Sequence, residues 1–241
     1  MATDWRGLGE ALQRALHLQV APIGITFSTS RPAGVAEFDA PMGEPAEDGR
    51  TGRVPAGCVF WVRAVDRTFS TVEEDHGNCS IGSYTHGFAS LDDVGGNDDV
   101  ATLLQSGWVS DKAVMGIPRV EQRPGAVTYG PLVDQPAGFD PDVVLIRVNG
   151  RQMMLLSDAL PGLRIEGKPQ CHIVAIAKDA NVPAASVGCA LSRARTGMQP
   201  EEMTCALPAS QLESAVEAIA RTAEVDSLVA RYAARDARRF D

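Results

Sequence analysis

Pro141-Asp142-Val143-Val144-Leu145-Ile146 is the stretch on which the reading of the fold turns. After its first two residues it is almost unbroken in apolar character, as expected of a strand buried on both faces. The strand runs over 143–148, and a helix over 150–160 follows at once, making a β-α unit. Working outward, short aliphatic runs bounded by Gly, Pro and Asp predict strands at Ala113–Pro118 and Ala126–Leu132. Val20 to Phe27 reads as a strand whose start Pro22 keeps near an edge. Thr68 to Val72 alternates like a strand. Ala185 to Ala190 is strand then turn, and Glu202 to Leu207 is a further strand.

Helices frame these strands. Residues 4–18 open with Asp4 as N-cap and carry Trp5, Leu8, Leu12, Ala15 and Leu16 on one face. Short helices are expected at 57–64, 80–88, 100–108 and 172–178. Ser210 caps a long helical region, 210–241, with Leu212, Ala215, Val216 and Ile219 on one face. Residues 28–54, rich in Pro, Gly and acids, form a long surface loop, and 73–78 and 90–99 are shorter polar connections. No repeat or linker divides the chain. The expectation is an α/β or α+β single domain, 1–241, with a mixed sheet flanked by helices.

Composition narrows the function classes. The chain has 241 residues and a net charge of −9, which argues against a nucleic-acid surface. The arginines between Arg231 and Arg239 are interrupted by Asp236 and read as a solvated helix face. The first ten residues lack the basic start and apolar run of a signal peptide. No apolar run reaches the roughly 18 residues needed to span a membrane. A cytoplasmic protein is therefore expected, with no membrane partner and with its cysteines reduced. Five cysteines, an odd and scattered number, do not make a disulfide framework.

Four of those cysteines stand at element boundaries beside turn-forming or polar residues: Cys58, Cys79, Cys171 and Cys189. Asp75-His76-Gly77-Asn78-Cys79 has His86 just beyond it, and Cys171-His172 is followed by Ser186-Val187-Gly188-Cys189. Packing cysteines need not gather at polar turns, whereas ligands of a site converge from loop ends. Cys205, inside Met203-Thr204-Cys205-Ala206-Leu207, reads as a core residue. Asp75 and His76 fit a carboxylate–imidazole pair for proton transfer, or equally a solvated acidic turn. Arg193 and Arg195 suit a fork for a carboxylate, or the cap of a surface turn. His17 fits a helix C-terminus, and His172 follows Cys171 too closely to share its face. Walker, nucleophile-elbow and zincin motifs are missing, so no nucleotide cofactor is expected.

The chain resembles a large prokaryotic family known as domain of unknown function number 169, over almost its whole length. The resemblance rests on Ala21-Pro22-Ile23-Gly24-Ile25 after a first helix, Cys58, Cys79 with Gly82, and Tyr129-Gly130-Pro131-Leu132. It continues through Pro141 to Ile146, Cys171, Ser186-Val187-Gly188-Cys189 with Arg193, Glu202-Met203 and Leu207-Pro208. It implies that Cys58, Cys79, Cys171 and Cys189 are family positions and Cys205 is not. Some relatives carry a further cysteine where this chain has Ser192.

Three functions fit. The leading expectation is a metalloprotein in which Cys58, Cys79, Cys171 and Cys189 hold a [4Fe–4S] cluster. It would work as a lyase or hydratase with an open iron, or as a redox protein, on a small-molecule substrate. Arg193 would orient that substrate and His76 or Asp75 would move a proton. The second is a metal-free enzyme with Cys79 as nucleophile and His76 or His86 as base. The third is a small-molecule binding protein whose cysteines pack. The apolar face of Leu228, Val229 and Tyr232 fits a homo-oligomer or only the core, and the oligomeric state is left open.

Overall fold

The computed structural model describes residues 3–134 and 139–240, so Met1, Ala2 and Asp241 of the expected domain lie outside it. The 143–148 stretch lies at the middle of a seven-stranded sheet. In chain order the strands are β1 (Ile23–Ser28), β2 (Phe69–Thr71), β3 (Ala126–Pro131), β4 (Val143–Val148), β5 (Arg164–Glu166), β6 (Ala184–Ser186) and β7 (Met203–Pro208). Their spatial order is β2-β3-β1-β4-β7-β6-β5. Neighbours pair antiparallel except β5 and β6, which run parallel. The sheet is thus mixed and the fold is α+β.

The helices are α1 (Trp5–Leu16), α2 (Cys58–Arg63), α3 (Glu73–His76), α4 (Ser80–Thr85), α5 (Leu91–Val94), α6 (Asp98–Gln105) and α7 (Asp111–Met115). After them come α8 (Gly150–Ala159), α9 (His172–Asp179), α10 (Ala190–Arg195) and α11 (Leu212–Ala237). Asp4 caps α1 by accepting from the Gly7 N–H at 2.9 Å, as its place in the sequence suggests. Asn149 and Gln152 close a reciprocal capping box at the start of α8, which is why that helix can begin directly after β4.

Strand alternation divides the interior into two cores. Val143 and Leu145 of β4 point, with Ile23, Ile25, Val127 and Tyr129, into a core that includes Phe60, Trp61, Ile173 and Ile176. Val144, Ile146 and Val148 point the other way, toward Leu12, Leu16, Leu156 and Ile219. Helices α1, α8 and α11 supply the second core, while α2, α4 and α9 supply the first.

Several expectations are corrected. The segment 113–118 is not a strand. Ser110 accepts from the Ala113 N–H and starts α7, which Gly116 ends, and no neighbouring strand is there to pair with. The connections at 73–78 and 90–99 contain α3 and α5, each opened by a carboxylate at its third position. Pro22 marks no edge: β1 is flanked by β3 and β4, and the Pro22 carbonyl accepts from the Leu132 N–H. Ser210 does not cap α11. Its hydroxyl donates to Asn181, and the helix starts at Leu212 after a 3-10 turn. Strand β5 and helix α10 were not foreseen, because Arg164-Ile165-Glu166 is a short, mostly exposed edge and α10 lasts only six residues. The loop 28–54 carries a single bridge among the described residues, Glu37 to Ser70, and lends Phe38 and Val54 to the core.

Candidate functional site: a pocket walled by four thiols

Each of the four boundary cysteines stands at the start of a different helix. Cys58 is the first residue of α2, and Cys79, Cys171 and Cys189 are the N-caps of α4, α9 and α10. The topology brings these four helix starts together, and all four residues line one pocket. Ile81, Val100, Leu103, Trp108, Val114 and Ile117 make most of the remaining wall, which is almost wholly apolar. The centre of a water-sized molecule can occupy ≈ 30 Å³ of it, within ≈ 540 Å³ of non-atom space that includes open solvent. Half-buried Leu103 and Trp108 border it, and Lys168 Nζ lies 4.1 Å from the centre of the Trp108 ring. Gly82 leaves room for one sulfur, because a Cβ there would sit 3.0 Å from Cys79 Sγ.

Helix starts favour thiolates, but burial opposes them and wins here. Burial pushes the Cys58 thiol up to about 12, with the nearby Cys79 adding to the effect. Cys79, the least covered of the four, is pushed up to about 11 by burial. Burial also raises Cys171 well above the ordinary thiol range. At neutral pH these three are thiols. All five cysteines are free, and Cys205 is fully buried in β7.

The cluster expectation is overturned at this point. Among the described residues no group of three or more His, Cys, Asp or Glu side chains is placed to hold a metal ion. The four sulfurs stand around the wall of a shared apolar space without converging on one point.

Gln170, beside Cys171, was not singled out from the sequence, although a polar neighbour next to each cysteine was the signal. It is 1 % exposed and lines the pocket. Its Nε2 donates to Ser192 Oγ at 2.8 Å and to the sulfurs of Cys58 and Met198 at 3.2 Å each. A thioether can only accept, which fixes the amide with its NH₂ on this side. The opposite atom, Oε1, is buried without a hydrogen-bond partner. Ser192 and Thr196 hold the arrangement from α10, with the Thr196 hydroxyl donating to the Ser192 carbonyl.

The other sequence candidates lie outside this pocket's lining. Asp75 accepts from the Val72 N–H at 2.8 Å and pairs with Arg53 at 2.7 Å, and burial nevertheless raises its pKa. His76 meets Thr71 rather than Asp75, with Nε2 3.0 Å from the hydroxyl. That hydroxyl donates to the Val127 carbonyl, so Nε2 carries the imidazole proton and Nδ1 is bare. His86 donates from Nδ1 to the Gly82 carbonyl at 3.0 Å, which leaves Nε2 bare. The two rings lie 5.4 Å apart among Phe27, Phe60 and Phe88, and burial keeps both neutral. His172 is buried 3.6 Å from Glu166, and His17 is exposed at the end of α1. Arg193 donates to the carbonyls of Val187, Pro200 and Glu202, tying the loop before α10 to β7, and Arg195 is exposed.

A family model matches residues 11–218, which include all four pocket cysteines. The chain belongs to the DUF169 family, described as uncharacterised ArCR. Neither the curated proteins nor the solved structures hold a match for it. The DUF169 match therefore carries no reaction with it. Among the described residues of this member, no helix is long and apolar enough to cross a membrane.

Proposed function

We propose that this DUF169 member binds a small, mainly apolar molecule in the four-thiol pocket, with the Gln170 amide oxygen as its polar anchor. One observation carries the reading: Gln170, a lining residue of this otherwise apolar pocket, has a buried amide oxygen without a hydrogen-bond partner. Leaving such a group unsatisfied costs about 1–3 kcal/mol. A ligand O–H or N–H recovers that cost, and few, well-placed polar groups in apolar walls are the usual make-up of a small-molecule site. The donor end would lie toward Gln170 and the apolar body against Leu103 and Trp108. Burial that keeps the Cys58, Cys79 and Cys171 thiols neutral favours binding over a thiolate nucleophile. Free thiols fit a reducing compartment, so we place the protein in the cytoplasm.

Phenol and toluene, titrated separately by chemical-shift perturbation, test the reading. Phenol is expected to bind about tenfold more tightly, a difference of ~1.4 kcal/mol. Gln170→Leu, checked for folding by circular dichroism, is expected to erase that preference. Equal binding of the two probes, or a preference that survives Gln170→Leu, would overturn it.

A further inference from the structure

Helix α11 has 26 residues, and only its first half packs on the body, through Leu212, Ala215, Val216 and Ile219. From Ser227 to Ala237 every residue except Asp236 is exposed. Asp226 roots the projecting half by its ion pair with Arg151 of α8. An isolated helix of this length is marginal in water. It nevertheless carries an apolar stripe, with Val225 59 %, Leu228 55 %, Val229 59 % and Tyr232 58 % exposed. Their spacing of three, four and seven residues places them on one face. The family match ends at residue 218, before this segment.

The stripe is a palindrome about the midpoint between Leu228 and Val229. Val225 and Tyr232 are equidistant from that midpoint, and so are Arg221 and Asp236. Apart from Arg221 and Asp236, charge is divided about it, with Glu213, Glu217, Glu224 and Asp226 before the midpoint and Arg231, Arg235, Arg238 and Arg239 after it. We propose that this half of α11 pairs antiparallel with α11 of a second copy about a two-fold axis at that midpoint. Such an isologous contact needs a self-complementary surface, in which residue i meets j and j meets i. Here Val225 meets Tyr232 and Arg221 meets Asp236. At 100° per residue, Glu224 on the flank falls between Arg231 and Arg235 of the second copy. The present partners are Glu217 on the same helix for Arg221 and Arg239, just past its end, for Asp236; both are surface pairs and exchange at little cost. A contact of about three turns covers roughly half of the ~800 Å² per partner of a standard interface, so the dimer is reversible, with a Kd in the micromolar range.

Sedimentation of the full chain from about 1 µM to about 500 µM tests this. The average mass is expected to rise toward that of a dimer. The double variant Leu228→Glu/Tyr232→Glu is expected to stay monomeric with unchanged circular dichroism. Glu224→Arg alone, and Arg231→Glu/Arg235→Glu alone, each weaken dimerisation by about tenfold or more. Mixing those two restores it, because both flanks of the mixed pair then match. A wild type that is monomeric throughout overturns the proposal, as does a dimer indifferent to Leu228→Glu/Tyr232→Glu. Failure of the mixture to recover overturns the antiparallel arrangement.

Discussion

The buried thiols of Cys58 and Cys171, the half-buried thiol of Cys79 and the buried imidazoles of His76 and His86 share one physical condition: desolvation favours the neutral form of each. For the thiols this predicts slow chemistry. A thiol with its pKa at about 11 is ionised in only about one molecule in ten thousand at pH 7. Alkylation by iodoacetamide, followed by mass spectrometry, is therefore expected to be slow at pH 7.5 and to quicken about tenfold per pH unit up to the Cys79 value. Cys79, the least covered, should react before Cys58 and Cys171. Stoichiometric labelling within seconds at pH 7 would refute this. For His86, burial lowers the folded-state pKa from 6.5 to about 4. Between those values the unfolded chain binds the extra proton, so stability is lost as pH falls from about 6.5 to about 4. The loss from this residue is about 3 kcal/mol across the window, and His76, lowered in the same direction, adds to it. Urea midpoints at pH 7 and pH 5 measure the effect, and His86→Gln should flatten the dependence. The imidazoles' chemical types were legible in Asp75-His76 and His86, but their neutrality was not. It comes from Phe27 and Phe60, which arrive from other elements, and from Phe88, which folds back onto His76.

At the scale of elements, the helix starts matter most. Asp4 before α1 and the Asn149–Gln152 box before α8 are local signals, and the strand-to-helix step at 148–150 follows from them. The start of α10 is different, because its approach is held by a remote contact. Gly188 adopts φ +119°, and a Cβ there would fall 1.9 Å from Arg193 Nη1. Gly188→Ala is thus expected to destabilise the protein by about 2 kcal/mol or more through strain and a displaced clamp. The shift in thermal midpoint measures it, and an unchanged midpoint would show that Arg193 does not clamp this loop. Arg193 was read from the sequence as a substrate fork because arginine after a cysteine turn looks the same either way. Only the fold reveals the carbonyls of Val187, Pro200 and Glu202 within its reach. The helix at 111–115 was misread as a strand for a related reason: a five-residue aliphatic run carries no usable period, so the Ser110 cap and Gly116 decide it.

Across the whole molecule, the sheet separates two tasks. The thiol pocket belongs to the face that receives Leu145, while Ile146 points into the core under α1, α8 and α11. Leu145→Ala and Ile146→Ala should each cost about 2–5 kcal/mol in urea unfolding. Only the first is expected to change phenol binding. Equal effects of the two on binding would mean that the sheet does not insulate the pocket. The root of the projecting part of α11 lies on the second face, so self-association would leave the pocket accessible. Dimer formation and ligand binding are accordingly expected to be independent, with the same phenol affinity at low and high protein concentration.

The sequence by itself determined the middle strand at 143–148, the capped helices around it and the position of Cys58, Cys79, Cys171 and Cys189 at element boundaries, because each depends on neighbours within a few positions. Only the tertiary structure decided what those cysteines do together. The convergence of four helix starts depends on strand order, and thiol ionisation depends on which side chains exclude water. Neither is written in the spacing of the residues. Spacing suggested ligands of a cluster, whereas packing made an apolar pocket in which burial disfavours the thiolates of Cys58, Cys79 and Cys171, with Gln170 among its lining residues.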